Sequence, residues 1–235
     1  MERIVELAAG VHQVTVQRGV NVVVIRDDHG VTLVDTGLDR PGLTPWLAHL
    51  GIAPAEVTRV LLTHAHRDHT GGVRWLRRAG SQAGVDIGID DAEVVRDGSP
   101  HPAPAHSGAR LLSRLRLPGA WGANPVIPDA RTVTDGQLLD VAGGTEVVAT
   151  PGHTVGHVAF HLLHHDVVIG GDVVFNVFDL RPSPAFLCWR QEPNLASVGR
   201  LARLAPAALA LAHGRPVVAD VRGRLEQLVE DRSTP

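Results

Sequence analysis

Val60-Leu-Leu-Thr-His-Ala-His-Arg-Asp-His-Thr-Gly-Gly72 is the stretch around which this chain is organised. Its apolar beginning belongs to a strand predicted over residues 57–62, and that strand ends abruptly in three histidines and an aspartate. His64 and His66 are two residues apart, so in an extended segment both rings project to the same side. Asp68 and His69 follow at once, where the glycine pair and the Arg/Leu spacing of residues 70–79 predict a helix. Three imidazoles and a carboxylate within six residues suit a divalent transition metal, and more than one such ion. A polar turn with a chance histidine cluster, or an isolated structural zinc site, is the plainer alternative. The rest of the chain argues against both, because it supplies further ligands.

Before the motif, strands are predicted at residues 2–8, 11–17 and 20–26, with a hairpin turn at 27–30 and a returning strand at 31–34. Asp35-Thr36-Gly37 closes that strand, and residues 41–50 have helical spacing. Beyond the motif come a short helix at 89–97, a turn-rich connection at 98–105, a helix at 107–115 and a proline-rich loop at 117–129. Short strands follow at 131–134, 137–141 and 145–149, then at 157–163 and 167–169 around a turn at His164-His165-Asp166. The chain closes with an apolar stretch at 173–187, a helix at 193–204, a buried strand at 207–211 and a helix at 217–228. Strands alternating with helices give an α/β class. No low-complexity linker divides the chain, so one domain over residues 1–235 is expected.

Composition excludes several function classes. All 22 basic residues are arginine, which removes a Schiff-base lysine and a phosphate-gripping loop lysine. A net charge of −3 argues against a nucleic-acid partner held by charge. Cys188 is the single cysteine, so no internal disulfide can form; beside Trp189 it reads as a small core residue. No apolar run reaches membrane-spanning length, and the first residues are not a secretory signal, so a cytoplasmic protein without membrane contact is expected.

Three further residues repeat the pattern of a metal-binding side chain just after an apolar strand. Val147-Val-Ala-Thr-Pro-Gly-His-Thr154 presents His153, Val167-Val-Ile-Gly-Gly-Asp172 presents Asp172, and Leu209-Ala-Leu-Ala-His-Gly214 presents His213. Strand ends are rigid supports, and the glycines allow close approach. Taken together, His64-Ala-His-Arg-Asp-His69, Pro151-Gly-His-Thr154, Gly171-Asp172 and His213-Gly214 resemble the signature of the metallo-β-lactamase superfamily, in order and rough separation. Asp35-Thr36-Gly37 is similar to that superfamily's early strand-end motif, and the likeness runs through nearly the whole chain.

The resemblance implies a four-layer αβ/βα sandwich, with two mixed sheets inside, helices outside and the site at one sheet edge. It implies two divalent metal ions, zinc first and iron or manganese as alternatives. His64, His66 and His153 would hold one, Asp68, His69 and His213 the other, and Asp172 would bridge them. Asp35 would orient a ligand ring or a bound water, with Thr63 and Thr154 as further candidates. A hydroxide shared by two cations ionises near neutral pH and would attack an ester, thioester or lactone carbonyl of a small molecule, with Asp68 relaying a proton.

Departures from individual branches narrow the substrate. The antibiotic-cleaving branch usually lacks an aspartate at the bridging place, which Asp172 occupies here. Hydroxyacylglutathione hydrolases add a C-terminal helical region, whereas here about one helix's length follows His213. Acyl-homoserine lactonases typically use a tyrosine, and this chain has none. Phe175, Phe178, Phe186 and Trp189, just after Asp172, are candidates for an apolar substrate wall or for core packing. His101 and His106 sit in a loop that could border the site, and His157 is expected to support its turn. A single-iron persulfide dioxygenase-like oxidoreductase and a phosphodiesterase of the ribonuclease Z kind are the alternative activities. A small-molecule substrate and a homodimer are the expected partners.

Overall fold

Along Asn21–Asp27 the side chains sort into two directions: Val22 and Val24 enter one apolar cluster, Val23 and Ile25 another. That period of two is the mark of a strand buried on both faces. The computed structural model describes residues 4–16, 19–39, 42–99, 102 and 125–233. Seven strands form the first sheet in sequence order: β1 (Ile4–Ala8), β2 (Val11–Thr15), β3 (Asn21–Asp27), β4 (Gly30–Val34), β5 (Val57–Leu62), β6 (Gly84–Gly88) and β7 (Arg131–Val133). Pairing is antiparallel through β4 and parallel from β4 to β7. The next four strands are β8 (Leu138–Leu139), β9 (Thr145–Ala149), β10 (Val158–Leu162) and β11 (Val167–Ile169). A two-stranded ribbon follows, β12 (Val174–Phe175) with β13 (Arg181–Pro182), and then β14 (Ala208–Ala210). The second sheet runs β14-β11-β10-β9-β8 and is mixed, because only β11 and β14 are parallel.

Helices α1 (Thr44–His49), α2 (Arg67–Thr70), α3 (Gly72–Arg78) and α4 (Ala92–Asp97) accompany the first sheet; α5 (Gln191–Leu204) and α6 (Val221–Ser233) accompany the second. Three apolar clusters mark the interfaces between four layers. Leu47, Val73, Leu76 and Val95 pack on one face of the first sheet. Leu61 and Val34 meet Val147, Phe160 and Ile169 between the sheets. Val198, Leu201, Val221 and Leu225 cover the far face of the second sheet. The expected αβ/βα sandwich is the architecture observed.

Some boundaries differ from the sequence expectation. Strand β6 was not expected: Asp86 interrupts its apolar pattern, yet it is buried because Arg59 and Arg131 each approach its Oδ2 to 2.8 Å. The helix expected from residue 70 starts at Arg67, with His66 still extended (ψ 147°). The last helix starts at Val221 rather than 217, because Val217 is held in backbone pairing with Leu209. The helix expected at 107–115, with His101, His106 and Trp121, lies outside the described residues.

The ends of β5, β9, β11 and β14 meet at one edge. The Val158 amide bonds to the Thr63 carbonyl (2.8 Å), and Asn21 donates its side-chain amide to the Leu211 carbonyl (2.7 Å), so the strand ends of the two sheets are tied directly.

Candidate metal centre

His64, His66, Asp68 and His69 arrive together at the end of β5 and the first turn of α2. His153 follows β9, Asp172 follows β11 and His213 follows β14. The fold brings all seven to one place. His66 Nδ1 lies 2.9 Å from both His64 Nε2 and His153 Nε2. Asp172 Oδ2 lies 3.2 Å from His153 Nε2, 3.5 Å from His213 Nε2 and 3.7 Å from His69 Nε2. Asp68 Oδ2 is 3.6 Å from His213 Nε2 and 3.8 Å from His69 Nε2.

The far side of each ring explains why the near nitrogen faces inward. His69 Nδ1 donates to Asp35 Oδ2 (2.8 Å), since a carboxylate only accepts. Thr63 Oγ1 donates to the same oxygen (2.8 Å) and stands 3.0 Å from His64 Nδ1, where it accepts. His153 Nδ1 faces Ser183 Oγ at 2.9 Å. Asp35 thus orients a ring, as expected, and Thr63 does so too. Thr154 does not: its hydroxyl donates to Asp91 Oδ2 (2.7 Å).

One contributor went unread in the sequence, and another was read only as a turn residue. Ser183 was hidden between Pro182 and Pro184. His157 supports more than its own turn: its Nε2 accepts the Asp172 amide (3.1 Å), while Nδ1 donates to Thr150 Oγ1 (2.7 Å). Gly171 makes that possible, because at φ 54° a side chain would be strained and its Cβ would come within 2.6 Å of His157 Nε2.

The donor set fits divalent metal. Metal–nitrogen bonds of about 2.1 Å in a tetrahedron put ligand atoms about 3.4 Å apart, and the 2.9–3.7 Å spacings around His66 and Asp172 straddle that value. His69 Nε2, Asp68 Oδ1 and Asp172 Oδ1 are buried without a hydrogen-bond partner among the described residues. Leaving such atoms unsatisfied is costly unless a cation takes them. The electrostatics agree. Burial opposes charge on His69, but Asp35, Asp172 and Asp68 outweigh it and push its pKa up to about 10. Burial likewise opposes charge on His213, and Asp172 outweighs it upward. On the other side, burial, helped by neighbouring imidazoles, holds His64 well below the usual histidine range and His153 near 3 despite Asp172. Asp172 is held well below the usual carboxylate range although it is buried, because His213, His69 and His153 face it.

The expected aromatic wall is only partly assembled at the cluster. Phe175 approaches it, with its ring centroid 4.8 Å from that of His213 and 6.4 Å from that of His153. Phe178 is 95% exposed and lines a groove with Leu180 and Arg224 against α6 instead. Phe186 is exposed as well. Trp189 is half-buried; its amide bonds to the His153 carbonyl (2.8 Å) and its ring carries the Arg190 guanidinium 4.6 Å above it. Cys188 is buried, and burial pushes its thiol up to about 11.

A four-layer sandwich with a histidine and aspartate cluster buried at one sheet edge defines the class of metal-dependent hydrolases. The chain belongs to the metallo-beta-lactamase superfamily, whose sequence profile matches residues 15–213. It is 28% identical over 211 residues to the uncharacterized protein YobT of Bacillus subtilis, covering 83% of each chain. It is 26% identical over 167 residues to the acyl-coenzyme A thioesterase MBLAC2 of Gallus gallus, matching 66% of this chain but only 58% of that protein's length. A crystal structure of a metallo-beta-lactamase family protein from Thermus thermophilus superposes with a TM-score of 0.70 at 27% identity, over 97% of this chain and 81% of that one. Among the described residues, no helix is long and apolar enough to cross a membrane.

Proposed function

We propose that the chain hydrolyses the carbonyl bond of a small ester, thioester or lactone, using two divalent cations. His64, His66 and His153 hold one and Asp68, His69 and His213 the other. Asp172 stands between them, and its position carries the reading: one oxygen faces histidines of both sets within 3.7 Å. When bound, such a pair lets water ionise near neutral pH and draws charge from a carbonyl oxygen. The chain's own groups do the rest. Asp35 and Thr63 fix the His69 and His64 tautomers so that lone pairs point inward, and Ser183 holds the His153 ring in place. Asp68 and His213 are the more exposed members (side chains 17% and 18% exposed), so substrate enters from their side. There Asp68 can hold the proton that the leaving atom needs. Phe175, its ring tilted against that of His213, offers an apolar surface to an acyl group. A thioester is the first substrate to try, because a relative carries that activity in its name. Zinc suits this imidazole-rich set, and iron and manganese fit the same donors.

The test is metal analysis of protein purified without added metal, followed by a hydrolysis screen across thioesters, esters, lactones and phosphodiesters. Two cations per chain and cleavage of a carbonyl bond are expected. One iron per chain with sulfur-dependent oxygen uptake would overturn the reading in favour of a dioxygenase. Cleavage of phosphodiesters alone would move it to the phosphodiesterase class.

A further inference from the structure

Asp91 occupies the N-cap position of α4, where an aspartate ordinarily accepts hydrogen bonds from the first free amides of its own helix. It makes no such bond. Its carboxylate turns the other way and is buried, with three donors from two other loops. Oδ2 accepts the Ala65 amide (2.9 Å) and the Thr154 hydroxyl (2.7 Å), and Oδ1 accepts the Gly156 amide (2.8 Å). Ala65 lies between His64 and His66, and Thr154 adjoins His153. The backbone is shaped to allow this contact: a Cβ on Gly156 would collide with the Asp91 amide, and a Cβ on Gly88 with the Gly156 carbonyl.

We infer that Asp91 is a positioning residue that clamps together the two loops carrying His64, His66 and His153, and so sets the affinity of that one cation position. This inference rests on the two-cation reading above. None of the Asp91 bonds is made to Asp68, His69, Asp172 or His213 themselves, and Ala65 precedes Asp68 by three residues. A helix cap would hold α4, and a general packing role would touch every ligand. Asp91 instead takes its three bonds from Ala65, Thr154 and Gly156, which flank His64, His66 and His153. A carboxylate accepting two amides and a hydroxyl is well satisfied, and replacing one of its oxygens by an amide nitrogen sets donor against donor. Partners one step removed from a metal commonly change its affinity about 10- to 100-fold.

The test uses the full chain, stripped of metal and titrated with Zn2+ alone by calorimetry. His153→Ala and His213→Ala identify which binding step belongs to which set. Asp91→Asn is expected to weaken the step that His153→Ala removes by about 10- to 100-fold, and to leave the other within about twofold. Thr154→Val deletes one of the three bonds without changing shape and should produce a smaller shift in the same step. It remains informative should Asp91→Asn fold poorly. Ser81→Ala removes a comparable buried bond to the Val57 carbonyl and should shift neither step. In the metal-free chain, hydrogen exchange at the Ala65 and Gly156 amides should rise about tenfold in Asp91→Asn. Equal weakening of both steps, or unchanged exchange at those amides, overturns the inference. A wild-type chain that binds a single Zn2+ overturns the two-cation reading instead, and the exchange rates still decide whether Asp91 clamps the loops.

Discussion

The two halves of the molecule equip the same site in different ways. The first sheet delivers four of the seven candidate ligands from one strand end, within six consecutive residues. The second delivers three, each from the end of a different strand and separated by 19 and 41 residues, as the numbering of His153, Asp172 and His213 gives directly (172 − 153 and 213 − 172). A compact motif needs only a strand and a turn to be assembled. A dispersed set needs the sheet order β14-β11-β10-β9 to be right before its members can meet. The supports differ likewise: His69 has Asp35 and His64 has Thr63, which donates to the same Asp35 and so joins the two, whereas His153 has Ser183 and Asp172 has His157.

The strongest way to break that comparison is to remove one ligand from each half. His66→Ala and Asp172→Ala should each reduce hydrolysis by at least about a thousandfold and lower metal content, with circular dichroism unchanged. Full activity in either variant would show that its half is dispensable. Next in size are the supports. Asp35→Asn disturbs three partners and should lower metal affinity by nearer to about 100-fold, and Ser183→Ala by nearer to about tenfold; competition with a chelator measures both, and the reverse order would mean the shared support is not the stronger one.

A third prediction concerns acid. Burial holds His157 near 4, against 6.5 for a free histidine. A lowered folded pKa gives stability that is present above pH 6.5 and lost as pH falls through 4, on the order of 3 kcal/mol in total. Urea unfolding of the metal-free protein should therefore weaken more steeply between pH 6.5 and 4 than that of His157→Gln; parallel curves would contradict it. The smallest effect belongs to the aromatic wall. Phe178→Ser should change kcat/KM less than about twofold and stability within about 0.5 kcal/mol, while Phe175→Ala should raise KM for long acyl chains. A large loss from Phe178→Ser would place the substrate beyond the cluster.

The same contrast explains what could be read from the sequence. The strands of both sheets and the helices over residues 41–50, 70–79 and 193–204 were legible because their apolar periods are clean. Strand β6 was not, since glycines bound it and a buried aspartate satisfied by two arginines sits in its middle. All seven clustered residues were legible, through the repeated appearance of His or Asp after an apolar strand. Of their supports, Asp35 and Thr63 were legible as well, but Ser183 and Asp91 were not. Ser183 and Asp91 act across 30 and 65 residues of chain, and nothing local distinguishes the one from a loop serine or the other from a helix cap. The aromatic stretch was only partly legible for a related reason: composition indicates that apolar rings are present, but the β12–β13 ribbon decides which of them face the cluster.

Cys188 has a practical consequence. It is the chain's single cysteine, 1% exposed, and burial pushes its thiol up to about 11. A chromogenic disulfide added to the folded protein near neutral pH would therefore find no thiolate to attack it. Any colour developed during turnover of a thioester would come from the released product, so cleavage can be followed continuously in the presence of the reagent, without blocking or mutating the protein.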